Sequence, residues 1–285
     1  FIYTPRGRNH GHSLYQMARS SNEWFCQNLT VKDTKRADGS PVISPDIIDQ
    51  ERLEGMEEAL IQQEFYGSFE AQIAGAYYAD QIATAKDQGR VTRLPIEPSL
   101  AVHTAWDLGI SDAMSIWLFQ AIGKEIRVIG YYENTGKGME HYIQWLNQYA
   151  ATNGVQLGQH LAPHDIEVRE LTSGRSRKDV AREMGISFRT VQRPRTKAEG
   201  IQAVRRMFPR FWFDPDKAEH GLNCIASYHR EFDEKRNVFR DTPVHDWASH
   251  GADALQTLAL GWRESMISGS RPQPRQAEVR FNVFG

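Results

Sequence analysis

Cysteine is scarce. Cys26 and Cys224 are too few for a disulfide framework and fit a reducing compartment. No apolar run reaches the length needed to cross a bilayer and no signal peptide is present, so a soluble, intracellular protein with no membrane partner is expected. Nucleotide motifs are missing as well. The nearest approach to a phosphate-cradling G-x-x-x-x-G-K-[ST] loop is Gly136-Lys137-Gly138, which has Tyr131 where the first glycine belongs and no hydroxyl after the lysine. With no G-x-G-x-x-G and no H-E-x-x-H either, no complete ATP site is expected. An excess of one charge is also lacking, the formal net charge being −2. That near-neutral total conceals a local imbalance: residues 165–210 hold twelve Lys/Arg against six Asp/Glu. Such a segment reads either as a solvated face or as a confined polyanion-binding surface, and the second reading is favoured.

What is present is organised around residues 100–107, Leu-Ala-Val-His-Thr-Ala-Trp-Asp, a buried strand that delivers the carboxylate of Asp107 at its exit. Gly109 lets the chain turn, and apolar runs at 113–122 and 125–132 complete an antiparallel meander. An amphipathic helix over 138–151 follows, with Met139, Tyr142, Ile143, Leu146 and Tyr149 on its stripe. The fourth strand, 157–162, then lies parallel to its neighbour, because a strand–helix–strand crossing makes it so. Pro163-His164-Asp165 places a second carboxylate, Asp165, at that strand's exit. Helices are predicted at 197–208, 216–233 and 245–262. On the last, Asp246, His250 and Asp253 are spaced by four and three residues and so share one face. Asp246 also reads as a helix cap, whereas Asp253 lies too deep for capping, and a part-buried aspartate is costly unless paired or metal-bound.

The order β-β-β-α-β-(insert)-α-α, with acids on the first strand, the fourth strand and the last helix, is the plan of a ribonuclease-H-like α/β fold: a mixed sheet flanked by helices. Three carboxylates without cysteine ligands select hard, oxygen-coordinated ions, Mg²⁺ or Mn²⁺. Two such ions would activate a water and stabilise the leaving oxygen in phosphodiester hydrolysis. His245 and His250 are candidates for donating to phosphate or for supporting the ligands. Upstream, the sequence opens inside an apolar run, as if within a domain. A helix at 13–20, a strand at 24–31, a helix starting at Ser44-Pro45 and continuing through Ile61, and a helix at 76–87 are predicted. Pro95 and Pro98 flank the best candidate domain boundary. The expected organisation is 1–93, 94–265 and a flexible tail at 266–285.

Trp106-Asp107-Leu108-Gly109, Ala162-Pro163-His164-Asp165, the run Thr172 to Arg177, and Pro243 to Leu255 together resemble the nuclease domain of the large terminase subunit of tailed bacteriophages. Thr4-Pro5-Arg6-Gly7 with Asn9 is similar to a motif near the end of that family's packaging ATPase domain. The resemblance implies that Asp107, Asp165 and Asp253 are the catalytic, metal-binding acids, with Asp246 and Asp112 as extra ligands. It implies that residues 1–93 are an ATPase remnant and linker. The phosphate-binding half of that motor is not in this sequence, so no ATPase activity is expected from it. It further implies double-stranded DNA as substrate, the small terminase subunit and the portal or procapsid as partners, and the cytoplasm of an infected bacterium, rather than the mature virion, as location. Arg169, Arg175, Arg177, Lys178, Arg182, Arg189 and Arg193 are the expected DNA-binding residues. A competing reading of residues 178–191 is a helix-turn-helix, which would suggest a transposase- or integrase-like enzyme with the same catalytic fold. Pro194 and the strand-like Ser187–Gln192 favour a helix followed by a strand instead. A third reading is a non-catalytic DNA-binding or capsid-docking scaffold.

Overall fold

A computed structural model of the chain describes residues 1–5, 10–56, 58–69, 75–109, 113–169, 174–233 and 238–267. Its centre is a six-stranded mixed sheet in the order β5-β4-β1-β2-β3-β6. β1 (Val102–Asp107), β2 (Ala113–Ile122) and β3 (Glu125–Thr135) form the antiparallel meander. Helix α5 (Met139–Asn153) then carries the chain back to β4 (Leu157–Pro163), which lies parallel to β1. Gly138 caps the start of α5, and Gly154 ends it in the left-handed conformation that glycine adopts without steric cost. α6 (Arg177–Glu183) leads to β5 (Phe188–Val191), parallel to β4 at the sheet edge. The central strand order and directions are those of the ribonuclease-H-like plan.

Alternation along the strands divides the core into two layers. On β1, Ala105 packs with Trp117, Phe119, Ala252 and Leu255 on one face, while Val102 and Trp106 pack with Tyr142, Leu146 and Phe188 on the other. The first face is covered by α7 (Lys197–Met207), α8 (Glu219–Ser227) and α9 (Trp247–Gly261), the second by α5 and α6. α9 is buried along most of its length, polar Ser249, Gln256 and Thr257 included.

Several expectations are corrected. Residues 178–191 form a helix and a strand, so the helix-turn-helix is excluded. The predicted 216–233 helix ends at Ser227, and Arg230–Asp233 pairs instead with Val238–Pro243 as the hairpin β7–β8. Phe211–Phe213 is an unforeseen strand, β6, beside β3. No strand forms at 24–31, where among the described residues no partner strand runs alongside. The helix expected through Ile61 breaks at Gly55 (φ 101°) into α2 (Pro45–Leu53) and α3 (Glu58–Glu64); α1 (His10–Arg19) precedes them. α4 (Ala79–Asp87), upstream of the expected boundary, buries Ile82 and Ala85 in the sheet core together with Tyr77 and Tyr78. Met266, at the start of the expected tail, is buried and its carbonyl meets His103.

Candidate active site

Asp107 is the last residue of β1 and lies opposite Ser115 on β2, which lies opposite Glu133 on β3. Directly opposed residues share a face, so these three side chains project toward α9. α9 is fixed on that face by its own backbone: Ser115 Oγ donates to the His250 carbonyl at 2.9 Å and Trp117 Nε1 to the Gly251 carbonyl at 2.7 Å. The helix thereby brings His250 over the strand end, its Nδ1 3.4 Å from Asp107 Oδ2. The Asp107 side chain is 23% exposed. Burial pushes its pKa up; the His250 contact opposes the rise and the negative charge of Asp253 adds to it.

Asp253 lies one turn further along α9, at three residues from His250. Its Oδ2 accepts from Lys197 Nζ at 2.7 Å and its Oδ1 from Gln256 Nε2 at 3.0 Å. Lys197 is the first residue of α7, which packs against α9 at Gly200, where a Cβ would lie 2.3 Å from Gln256 Oε1. Two carboxylates, an imidazole and an ammonium therefore converge where β1, α7 and α9 meet. The part-buried Asp107 carboxylate, with a second carboxylate on the adjoining helix, has the oxygen-donor chemistry that a hard divalent cation takes.

Asp165 follows the exit of β4, in the short 3₁₀ turn His164–Glu167, at the same end of the sheet as Asp107 because β1 and β4 run parallel. It is exposed, and its Oδ1 contacts His164 Nε2 at 3.0 Å rather than another acid. Asp246 is the N-cap of α9, accepting from the Ala248 amide at 3.0 Å while Ser249 Oγ accepts from the Asp246 amide at 3.0 Å. One of its carboxylate oxygens is thereby engaged at the start of the helix. The His245 ring stands edge-on to His250 with centroids 6.0 Å apart. Asp112 lies outside the described residues.

The basic segment is less open than its composition suggests. Arg175 pairs with Glu183, Lys178 Nζ with Glu167 at 2.6 Å, and Arg182 with Asp179 at 3.9 Å. Arg189 is part-buried and donates to the Gly261 carbonyl at the end of α9, a structural use of its guanidinium. Arg177 reaches the Gly109 carbonyl at 3.5 Å, just beyond Asp107. Arg169 forms a backbone bridge with Ser176, and Arg193 is exposed.

Lys197, Gln256 and Glu133 belong to the surroundings of this site and were missed in the sequence. Lys197 did leave a signal, since a cation in the first turn opposes the helix dipole and needs an outside partner. Glu133 left none, because only the strand register puts it on this face.

No family model matches the chain. No curated protein matches it either. Among solved structures, the large terminase of a thermophilic bacteriophage is 16% identical over 91% of this chain and 61% of that one, with a TM-score of 0.49. The P22 large terminase nuclease domain is 15% identical over 61% of this chain and 88% of that one, TM-score 0.45. The SPP1 large terminase nuclease domain with bound Mn is 13% identical over 55% and 84%, TM-score 0.39. The chain thus spans about three fifths of the length of the thermophilic-phage protein, and what it is similar to, in these three cases, is a large terminase or its nuclease domain.

Proposed function

We propose that this chain is the nuclease part of a terminase-type large subunit, cutting double-stranded viral DNA during genome packaging with the help of divalent ions. The observation that carries the reading is the approach of Asp253 on α9 to the sheet face that carries Asp107. There, among the described residues, a part-buried carboxylate has the long His250 contact and the charge of Lys197 to balance its own. The motif set around residues 106, 165, 175 and 250 supports the same conclusion from the sequence. Asp107, Asp165 and Asp253 are the proposed ligands of two Mg²⁺ or Mn²⁺ ions, which when bound supply a nucleophilic water and neutralise the leaving oxygen. Asp107 gives the deepest ligand. His250 orients its carboxylate, and Lys197 holds Asp253 toward the strand end and is well placed to meet a phosphate. The small terminase subunit, the portal or procapsid, and the cytoplasm of the infected host complete the proposal.

Digestion of supercoiled plasmid in Mg²⁺, Mn²⁺ or EDTA tests it. Cutting is expected with either ion and none in EDTA; cutting without divalent ions overturns the mechanism. Asp107→Asn and Asp253→Asn should each lower the rate by about 100-fold or more, the scale on which a charge-stabilising group acts. Asp246→Asn, which changes a helix cap, should cost far less. A chain that binds DNA yet never cuts it under any of these conditions is the scaffold rather than the enzyme.

A further inference from the structure

A separate group of ligating side chains lies beside that site. Glu133 on β3, with His220 and Cys224 on α8, offers a carboxylate oxygen, an imidazole nitrogen and a sulfur within 4.8 Å of one another. His220 and Cys224 are four residues apart, one helical turn, so both side chains point the same way. Glu133 comes from a strand 87 residues earlier in the chain, to which α8 is pressed by glycine. A Cβ on Gly221 would lie 2.4 Å from Trp117 and 2.7 Å from Tyr131, and one on Gly251 of α9 2.7 Å from Cys224 Cβ.

We propose that Glu133, His220 and Cys224 form a site for a borderline-soft cation, Zn²⁺ or its surrogate Co²⁺, distinct from the hard-ion site at Asp107 and Asp253. Donor type separates the two: one carboxylate, one imidazole and one thiolate is a zinc-like set, whereas Mg²⁺ and Mn²⁺ favour oxygen. The spacing agrees. Ligand atoms 2.0–2.2 Å from zinc stand about 3.4 Å apart at the tetrahedral angle, and His220 Nε2 is 3.4 Å from Glu133 Oε1. The group also has the outer support that metal ligands commonly have, since the Tyr131 hydroxyl donates to the other oxygen, Glu133 Oε2. Cys224 is fully buried beneath the exposed His220, so an ion enters from the His220 side and meets the sulfur last. Binding releases the thiol proton to solvent and leaves a fourth position for water. The ion would tie α8 to β3 two strands from Asp107, bracing the face on which α9 rests.

The test is titration of the reduced 285-residue chain with Co²⁺. A sulfur-to-cobalt charge-transfer band in the near ultraviolet is expected, with tetrahedral visible bands, saturating at one equivalent and displaced by Zn²⁺ but not by Mg²⁺. Because the Asp107–Asp253 site contains no sulfur, the band reports this site alone, and Asp107→Asn and Asp253→Asn should retain it. Cys224→Ser should abolish it and Cys26→Ser should not. His220 is exposed, so His220→Ala removes a ligand without disturbing the core, and should weaken Co²⁺ binding by more than the roughly tenfold typical of losing an outer partner. Glu133→Gln should weaken it too. No sulfur band at saturating Co²⁺, a band that depends on Cys26, or a band indifferent to both His220→Ala and Glu133→Gln would overturn the proposal. None of these results bears on whether plasmid is cut.

Discussion

At the scale of single residues, the ligand role proposed for Asp107 opposes its effect on stability. Burial raises its pKa above the ordinary 3.8, so folding disfavours its ionised form. The sign follows from linkage. Below the unfolded value both states hold the proton, and stability is undiminished; as pH rises from there through the raised folded value, the unfolded chain releases its proton more readily and stability is lost. Asp107→Asn removes that burden. In EDTA at neutral pH the variant should therefore melt higher than the parent, by on the order of 2–4 °C, which corresponds to about 1 kcal/mol in a domain of this size. The advantage should fade as pH falls below ~4, where the parent's carboxyl becomes protonated in both states. Mg²⁺ should then raise the parent's midpoint and leave the variant's unchanged, since only the parent keeps the ligand. Thermal melts over pH, with and without Mg²⁺, check all three statements. A variant less stable than the parent throughout would mean that Asp107 is a structural partner of His250.

At the scale of elements, close helix–sheet approach depends on glycine, and α8 is the clearest instance. Gly221 abuts the Trp117 and Tyr131 rings, neither of which can retreat from the sheet core. Gly221→Ala should cost about 1–3 kcal/mol, the usual range for overpacking a close-packed site, and denaturant melts would show it. A neutral result would mean that α8 slides without penalty. Elements of this kind also mark the limit of what the sequence revealed. The meander and β4 were legible as apolar runs bounded by turn residues, α5 and α9 from residues at helical spacing, and the first and last of these carry Asp107 and Asp253. The hairpin β7–β8 and the three-residue β6 were not, being too short for periodicity to separate strand from helix. Asp246 was readable as a cap from its place after Pro243, yet regular spacing also put it on the functional face. The structure shows the first, in the contact with the Ala248 amide. The Lys197–Asp253 pair and the Glu133 cluster come from packing across 56 and 87 residues of chain, which no local pattern encodes.

At the scale of the whole molecule, the proposed function requires a chain with net charge −2 to hold a polyanion. Long-range attraction cannot come from the total, so under that proposal it comes from cations gathered near the acids. Composition alone would assign that task evenly across residues 169–193, but the structure ranks them. Arg189 is committed to the end of α9. Arg175 and Lys178 already lie on Glu183 and Glu167, though such exposed pairs are worth little and a phosphate can compete for them. Arg177, beside the loop after Asp107, and Lys197, on Asp253, lie nearest the acids. Each phosphate contact contributes about 0.9 to the slope of log affinity against log salt. Arg177→Ala should therefore flatten that slope by about one unit on any duplex sequence, because backbone contacts position DNA without reading it. Replacing Arg175, Arg177 and Lys178 together should flatten it by roughly 2–3 units if the two paired residues release their carboxylates to bind phosphate, and by about one if they do not. Fluorescence anisotropy across a salt series, in EDTA to prevent cutting, separates these values. A slope unaltered by all three substitutions would place the duplex elsewhere on the molecule, and a loss confined to one sequence would make this surface a base reader.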